Sequence, residues 1–326
     1  MQNYSKIQKF FHNFVFKKKV INDLLYEFEK ILFLRYENFH NHSHLFISSL
    51  PRSGTTSLLN FFYSSNKYAS LTYRNMPFLL SPNISKLINK KNISEKKRLH
   101  DDGIKYDIDS PEAFDEIFFN KGEKFINEEL LKYINLIMIA QKKNHYLSKN
   151  NLNFKRINLI QKLLPNAIFL VPIREPLQQA NSLLNQHLLF CNLQKKDDFI
   201  RRYMNFLSHN EFGLDHRFWN KPIKFKDCND INYWLEQWLL FYYSMLKKHE
   251  LTENCFFLIY EYLNNSVYIK KFLSTIKFND LKKVNLNFFK NSNKSQIKLN
   301  YDKNLYNDAI NIYNQFLLKN KKFLDN

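Results

Sequence analysis

The sequence predicts an α/β fold, a central parallel β-sheet flanked by helices, and three stretches predict it. Leu45-Phe46-Ile47 is an apolar run that passes through Ser48, Ser49 and Leu50 into the turn Pro51-Arg52-Ser53-Gly54-Thr55-Thr56. Directly after it, Leu58, Leu59, Phe61 and Phe62 recur at helical spacing. Ala167–Val171 is the most apolar short run and reads as a central parallel strand. It leads into Pro172-Ile173-Arg174-Glu175-Pro176, with Pro176 opening the next helix. Cys255–Tyr260 is a third buried strand, preceded by a long helix over 229–249 whose Trp234, Leu235, Trp238, Leu239, Tyr242 and Met245 form a core stripe.

Composition bounds the answer without choosing it. A chain of 326 residues is ample for a buried core, and 17% aromatic residues argue for a packed globule rather than disorder. Lys and Arg number 49 against 30 Asp and Glu, a net charge of +19. Such a charge suits a polyanionic partner: nucleic acid, an anionic cofactor, an acidic glycan or an anionic membrane. Abundant Lys, Asn, Ile and Phe beside only 4 Gly is also what an AT-rich genome encodes, so charge alone decides nothing. The three cysteines, Cys191, Cys228 and Cys255, are too widely spaced for a zinc motif or a disulfide framework. The N-terminus lacks the apolar core of a signal peptide, and no run reaches the ~18 apolar residues of a membrane span, so a cytoplasmic protein is expected.

Taken in order, residues 5–38 show amphipathic spacing for two helices broken near Lys17-Lys18-Lys19. Packing on the domain is their expected role, with a membrane surface as the alternative. His40, His42 and His44 alternate without Cys or carboxylate neighbours, and no metal site is expected there. Ala69–Thr72 is short enough for a second strand, and the loop Tyr73–Phe78 after it would line the crevice at the carboxyl ends of the strands, making Arg74 a candidate acceptor contact. Residues 83–108, polar and charged, read as an exposed insertion. Asp109 or Ser110 as N-cap, Pro111 at the first helical position and Glu112 in the first turn predict a helix start, which would put Glu112 and Glu116 on one face. Helices are expected over Glu123–Lys143 and Phe154–Leu164, around a strand at His145–Ser148 that ends in the basic turn Lys149-Asn150-Asn151.

The turn at 51–57 has the chemistry of an anion site. The first N–H groups of a helix have no intrahelical partner, and the helix dipole adds positive charge there. Gly54 lets the backbone approach a ligand, Thr55, Thr56 and Ser57 supply hydroxyls, and Arg52 a permanent cation. A nucleoside-triphosphate loop needs a second glycine followed by Lys, and here Gly54 is followed by Thr55.

What P-R-S-G-T-T-S-L resembles is the 5′-phosphosulfate loop of sulfotransferases that use 3′-phosphoadenosine 5′-phosphosulfate. The strand, Arg174-x-Pro176 and a helix with Ser182 eight residues beyond the Arg resemble the 3′-phosphate site of the same family, and Tyr260-Glu261-x-Leu263 its strand end near the adenine. The resemblance covers about 45–263 in order. It implies the P-loop-like sulfotransferase fold, as a single domain over 1–326 with an N-terminal helical extension (1–43), an acceptor-side insertion (83–122) and a C-terminal helical segment (288–326). It implies that Arg52, Ser53, Gly54, Thr55, Thr56, Ser57, Arg174, Ser182 and Tyr260 hold the donor, whose product is adenosine 3′,5′-bisphosphate. It places Arg74 and Lys149 on the acceptor side. The order of elements looks like bacterial sulfotransferases, and cytosolic animal enzymes usually have Lys where Arg52 stands. Golgi members usually carry a membrane anchor, which also favours a bacterial or otherwise soluble form.

Sulfuryl transfer is an in-line displacement like phosphoryl transfer and needs no metal in principle. Arg52 and the helix N-terminus would stabilise the leaving oxygen, and an acceptor hydroxyl or amine, on a saccharide, lipid or small molecule, would need a general base. Tyrosyl-protein relatives place that base as a Glu in the loop after the second strand, where this chain has Tyr73-Arg74-Asn75. The candidates are His100, Glu112 and Glu116, on segments His100–Gly103 and Ser110–Glu116 that resemble an acceptor-side element of bacterial relatives, a resemblance that does not identify the base. Residues 288–300, where relatives close over the 3′-phosphate, offer Lys290, Asn293, Lys294, Ser295 and Lys298 without a distinctive motif. Two other classes stay open: a phosphotransferase with a variant loop, which would bind ATP with magnesium, and a non-enzymatic nucleic-acid binder, whose affinity would fall steeply with salt and ignore Arg52.

Overall fold

The structure, a computed structural model, describes residues 19–35, 39, 41–89, 96–97, 105–249, 253–278, 289 and 300–324. The expected helix before residue 19, His40 and His100, and Lys290, Asn293, Lys294, Ser295 and Lys298 lie outside them.

Five parallel strands form the central sheet: β1 (Leu45–Ile47), β2 (Tyr68–Ala69), β5 (His145–Lys149), β6 (Ile168–Ile173) and β7 (Cys255–Ile259), in the spatial order β2-β5-β1-β6-β7. A separate two-stranded hairpin pairs β3 (Lys96–Lys97) with β4 (Lys105–Tyr106). Eleven α-helices are described: α1 (Lys19–Phe33), α2 (Thr55–Ser64), α3 (Pro82–Ile88), α4 (Glu116–Phe119), α5 (Glu123–Gln141), α6 (Ile157–Leu163), α7 (Pro176–Lys196), α8 (Asp198–Phe206), α9 (Ile231–His249), α10 (Ser266–Thr275) and α11 (Lys303–Asn320).

Strand alternation sorts the core into two layers. Leu45, Ile47, Leu170 and Leu258 pack with Leu58 and Phe62 of α2 and Tyr268 and Phe272 of α10. Phe46, Phe169, Val171 and Phe257 face the other way, onto α5, α7 and α9. With both faces covered, the strands must be apolar throughout, and β6 is buried along its whole length. From β1 the chain crosses to the β2 edge, then steps back past β1 to β6 and β7, so the strand order reverses at β1. Ligands of open α/β sheets bind at such a reversal, beyond the carboxyl ends of the strands.

Three sequence expectations are corrected. The run after Asp109 does not start a helix at Pro111: Pro111 bridges Thr72, and the Glu112 N–H donates to Leu71 C=O at 3.0 Å. Pairing with the strand end beyond β2 takes precedence over the local capping signal, the helix begins only at Glu116, and Glu112 lies outside it. Residues 83–89 are not an exposed insertion, because Pro82 opens α3 and Asn83 and Ser85 are buried. The second strand occupies Tyr68–Ala69, not Ala69–Thr72.

β6 also runs through Pro172, where a strand end was expected. Leu170 points its C=O at β1, where it accepts the Ser48 N–H at 2.9 Å, and Pro172 two residues on points the same way. β1 has already turned off, so the missing proline N–H costs no ladder bond, and Pro172 C=O instead accepts Ser49 Oγ at 2.6 Å.

One half-buried histidine sets a pH limit on the fold. His216 donates Nδ1–H to Glu211 C=O (2.8 Å) and accepts Tyr233 O–H at Nε2 (2.7 Å), beside Trp234 and His187. Desolvation, then the neighbouring His187, lowers its pKa from 6.5 to about 4. The unfolded chain binds this proton near 6.5 and the folded one only near 4, so stability is full above 6.5 and falls as pH drops through that window, by on the order of 3 kcal/mol. Urea unfolding at pH 7 and pH 4.5 is expected to show a smaller loss in His216→Gln than in the wild type; equal losses would assign the effect elsewhere.

Candidate active site

The carboxyl end of β1 is built for close approach. Arg52 (φ 68°) and Gly54 (φ 93°) both adopt left-handed backbone, which folds the turn tightly before α2 begins at Thr55. Gly54 is the N-cap and has no side chain to cap with, and the first helical bond runs from Leu58 N–H to Gly54 C=O at 3.0 Å. The N–H groups of Thr55, Thr56 and Ser57 thus precede the helical ladder. Ser53 Oγ donates to Leu50 C=O at 2.8 Å and is buried, which makes it a turn-former. A Cβ on Gly54 would stand 2.6 Å from Tyr260 Cδ2, so glycine is required both by its φ and by the ring lying on it.

The two motifs, more than a hundred residues apart, meet at this turn. Arg52 Nε donates to Ser182 Oγ at 2.9 Å, and Arg174 Nη1 donates to Arg52 C=O at 3.2 Å. The Arg174 guanidinium lies over the Tyr260 ring, 5.1 Å from its centroid. Arg174 Nε is buried with no hydrogen-bond partner among the described residues. A permanent cation with an unsatisfied buried donor, next to another Arg, a Ser hydroxyl and a helix N-terminus, is suited to bind a phosphate-bearing anion.

Sequence reasoning missed what fixes this arrangement. Fully buried Gln179 donates Nε2–H to Pro51 C=O (2.9 Å) and Leu50 C=O (3.4 Å), and its Oε1 accepts the Trp238 indole N–H at 3.0 Å. Trp238 Nε1 also reaches Arg174 C=O at 3.1 Å, and Tyr242 O–H bridges Pro172 C=O and Gln179 Oε1. Gln179 precedes Ser182 by three residues on the same helix face, the one signal that could have found it.

On the β5 side of the turn stands Glu112. Its carboxylate accepts Tyr73 O–H (3.1 Å) and Ala113 N–H (2.9 Å) and faces the Lys149 ammonium at 3.8 Å. Lys149 ends β5 and pairs in register with Ile47 of β1, so this group lies at the same sheet edge as the turn. Glu116 is engaged differently: both its oxygens take the Arg156 fork at 2.7 and 2.8 Å, and Asn150 Nδ2 adds a third bond. Arg74 is likewise held by Asp109 through two 2.6 Å bonds and by Asn89 C=O. Beneath them Asp115 is buried among Tyr146, Ser148 and Asn150, its pKa raised by desolvation against the lowering bond from Ser148. Among the described residues no group of three or more His, Cys, Asp or Glu is arranged to hold a metal ion.

Gly54→Ala is expected to lower stability by about 1–3 kcal/mol in chemical unfolding, from strained backbone and the clash with Tyr260. Adding Tyr260→Ala should return the steric share and leave the backbone share; full recovery would mean that φ is unstrained.

No curated protein matches the sequence. Among solved structures, sulfotransferase STF9 from Mycobacterium avium shares 12% identity over 85% of this chain and 76% of its own, with a TM-score of 0.42. Sulfotransferase STF1 from Mycobacterium tuberculosis H37Rv shares 9% identity over 95% of this chain and 83% of its own, with a TM-score of 0.43. A family model described as "Sulfotransferase family" matches residues 44–233, from the residue before β1 into α9 and so across the β1–α2 turn, Glu112, Lys149, Arg174 and Ser182, and the chain belongs to that family.

Proposed function

We propose that this chain transfers a sulfuryl group from 3′-phosphoadenosine 5′-phosphosulfate to a hydroxyl or amine held beside Glu112. The observation that carries the reading is the convergence of Arg52, Arg174, Ser182 and Tyr260 on one turn at the carboxyl edge of the sheet. The donor set fits the nucleotide: Arg174 has a buried donor to give, the α2 amides lie at the positive end of a helix, and Tyr260 offers an aromatic face.

In this reading Thr55, Thr56 and Ser57 hold the 5′-phosphosulfate, and Arg174 and Ser182 the 3′-phosphate. The nucleotide supplies an activated sulfuryl group. Arg52 neutralises charge growing on the leaving phosphate oxygen, and its present bond to Ser182 keeps the side chain on the site. Glu112 takes the acceptor proton. Of the two described carboxylate candidates it is the one facing a lysine across 3.8 Å, whereas Glu116 spends both oxygens on Arg156. Lys149 orients Glu112 and draws an anionic or polar acceptor; saccharide, lipid and small-molecule hydroxyls all satisfy this chemistry.

Calorimetric titration with adenosine 3′,5′-bisphosphate, beside ATP with magnesium, is expected to show selective binding of the bisphosphate. Arg174→Ala should weaken it at least ~10-fold, the value of one charge-assisted hydrogen bond. Preference for ATP would favour the phosphotransferase reading instead. With radiolabelled donor and a panel of saccharide, lipid and phenolic acceptors, Glu112→Gln is expected to lower turnover roughly 10²–10⁴-fold while leaving bisphosphate affinity unchanged. Unchanged turnover would remove Glu112 from the chemistry.

A further inference from the structure

β6 and β7 end on the same two-residue pattern. Ile173 and Ile259 are the last paired residues of the two strands. Arg174 and Tyr260 come next, the guanidinium 5.1 Å from the ring centroid, and after each of them stands a glutamate. The Glu175 N–H donates to Glu261 Oε1 at 3.0 Å, so a side chain continues the link between the strands where the ladder stops.

α11 holds both glutamates. Tyr306 O–H donates to Glu175 Oε1 at 3.0 Å, and Tyr313 O–H donates to Glu261 Oε2 at 2.8 Å. The two tyrosines are seven residues apart, two helical turns, and so share one face of α11. Glu175 Oε2 accepts the Gln178 N–H at 2.7 Å as the N-cap of α7. Each carboxylate thus has one oxygen on backbone and the other on a phenol. The Tyr313 ring also packs edge-on against Trp238, 6.5 Å between centroids, and Trp238 holds the Arg174 carbonyl. α11 is itself fixed at its start, where Asp302 caps the Asn304 and Leu305 N–H groups and accepts Lys224 Nζ at 2.7 Å. This helix lies beyond residue 233, where the family match ends.

We infer that Tyr306 and Tyr313 are positioning residues for the nucleotide site, acting through Glu175 and Glu261, an inference that rests on the donor reading given above. Both glutamates are half-buried, and a carboxylate oxygen there is costly to leave without a donor. A glutamate that lost its phenol would seek a cation. Arg174 directly precedes Glu175 and lies on the ring that directly precedes Glu261. Phenols satisfy the two carboxylates without bringing charge, which leaves the Arg174 guanidinium to a phosphate. Loss of the phenols would therefore be felt at the 3′-phosphate and not across the whole ligand.

Calorimetric titration of the full chain with adenosine 3′,5′-bisphosphate and, beside it, adenosine 5′-monophosphate tests this. The wild type is expected to prefer the bisphosphate, because Arg174 addresses the 3′-phosphate. Tyr306→Phe/Tyr313→Phe removes only two hydroxyls and should lower that preference roughly 10-fold, through the bisphosphate alone. Tyr26→Phe deletes the same kind of bond, to Glu129 at 3.1 Å between α1 and α5, and should leave the preference unchanged. Equal preference in the double variant and the wild type would overturn the inference. So would an equal loss for both ligands, or a matching loss in Tyr26→Phe, each the mark of general loosening. A wild type with no preference for the bisphosphate would overturn the donor reading and, with it, this inference. If the double variant melts early, Tyr306→Phe, at a half-buried position where Tyr313 is buried, is read in the same way.

Discussion

The hydrogen bonds that lash the β1–α2 turn to β6 and α7 are the constraint on which the site depends. Left-handed backbone at Arg52, which has a Cβ where Gly54 has none, is unfavourable locally and persists only when the surroundings over-determine it. Here they do: Gln179 holds Leu50 and Pro51 from below, Arg174 holds the Arg52 carbonyl from the side, and Tyr260 covers Gly54. Trp238 and Tyr242 of α9 anchor Gln179 in turn, so the wide aromatic core beneath the sheet is mechanically continuous with the turn. A close-packed support of this kind leaves the turn little freedom to shift, and group transfer depends on such positioning.

The sheet edge divides into two flanks around that turn. Toward β6 lie two arginines and a serine hydroxyl; toward β5 and β2 lie a carboxylate, a phenol and a lysine. The second flank is assembled from three separate stretches: Tyr73 after β2, Glu112 in the segment bridging Thr72, and Lys149 at the end of β5. The neighbouring Glu116–Arg156–Asn150 and Asp115 clusters are saturated with bonds and hold those stretches together, as buried charges must be if they are to persist.

Helix α1 turns its polar side inward, with Asn22, Tyr26 and Glu29 buried. It shows polar groups used as fasteners where apolar packing is normal, because Glu29 must cap α3 and Glu129 must be satisfied. The consequence is that Leu24, Phe28 and Ile31 stay exposed.

By itself the sequence determined β1, β5, β6 and β7, the tight turn after β1 and the arginine after β6, because each is a local signal: a short apolar run, a Gly that tolerates positive φ, a Pro that opens a helix. The same locality explains its errors. At Pro111 a strong helix-start signal lost to pairing with Thr72, and at Pro172 a strand continued because β1 had already departed, facts about neighbours that no window of sequence contains. Periodicity also said that α1 was amphipathic without saying which face turns inward, since that depends on the partners Asn83 and Glu129. Only the tertiary structure decided that Gln179 supports the turn, and that Glu112 meets Lys149 while Glu116 is taken by Arg156. These are pairings across the sheet edge, where side chains distant in sequence compete for the same few partners and desolvation makes each unpaired one costly.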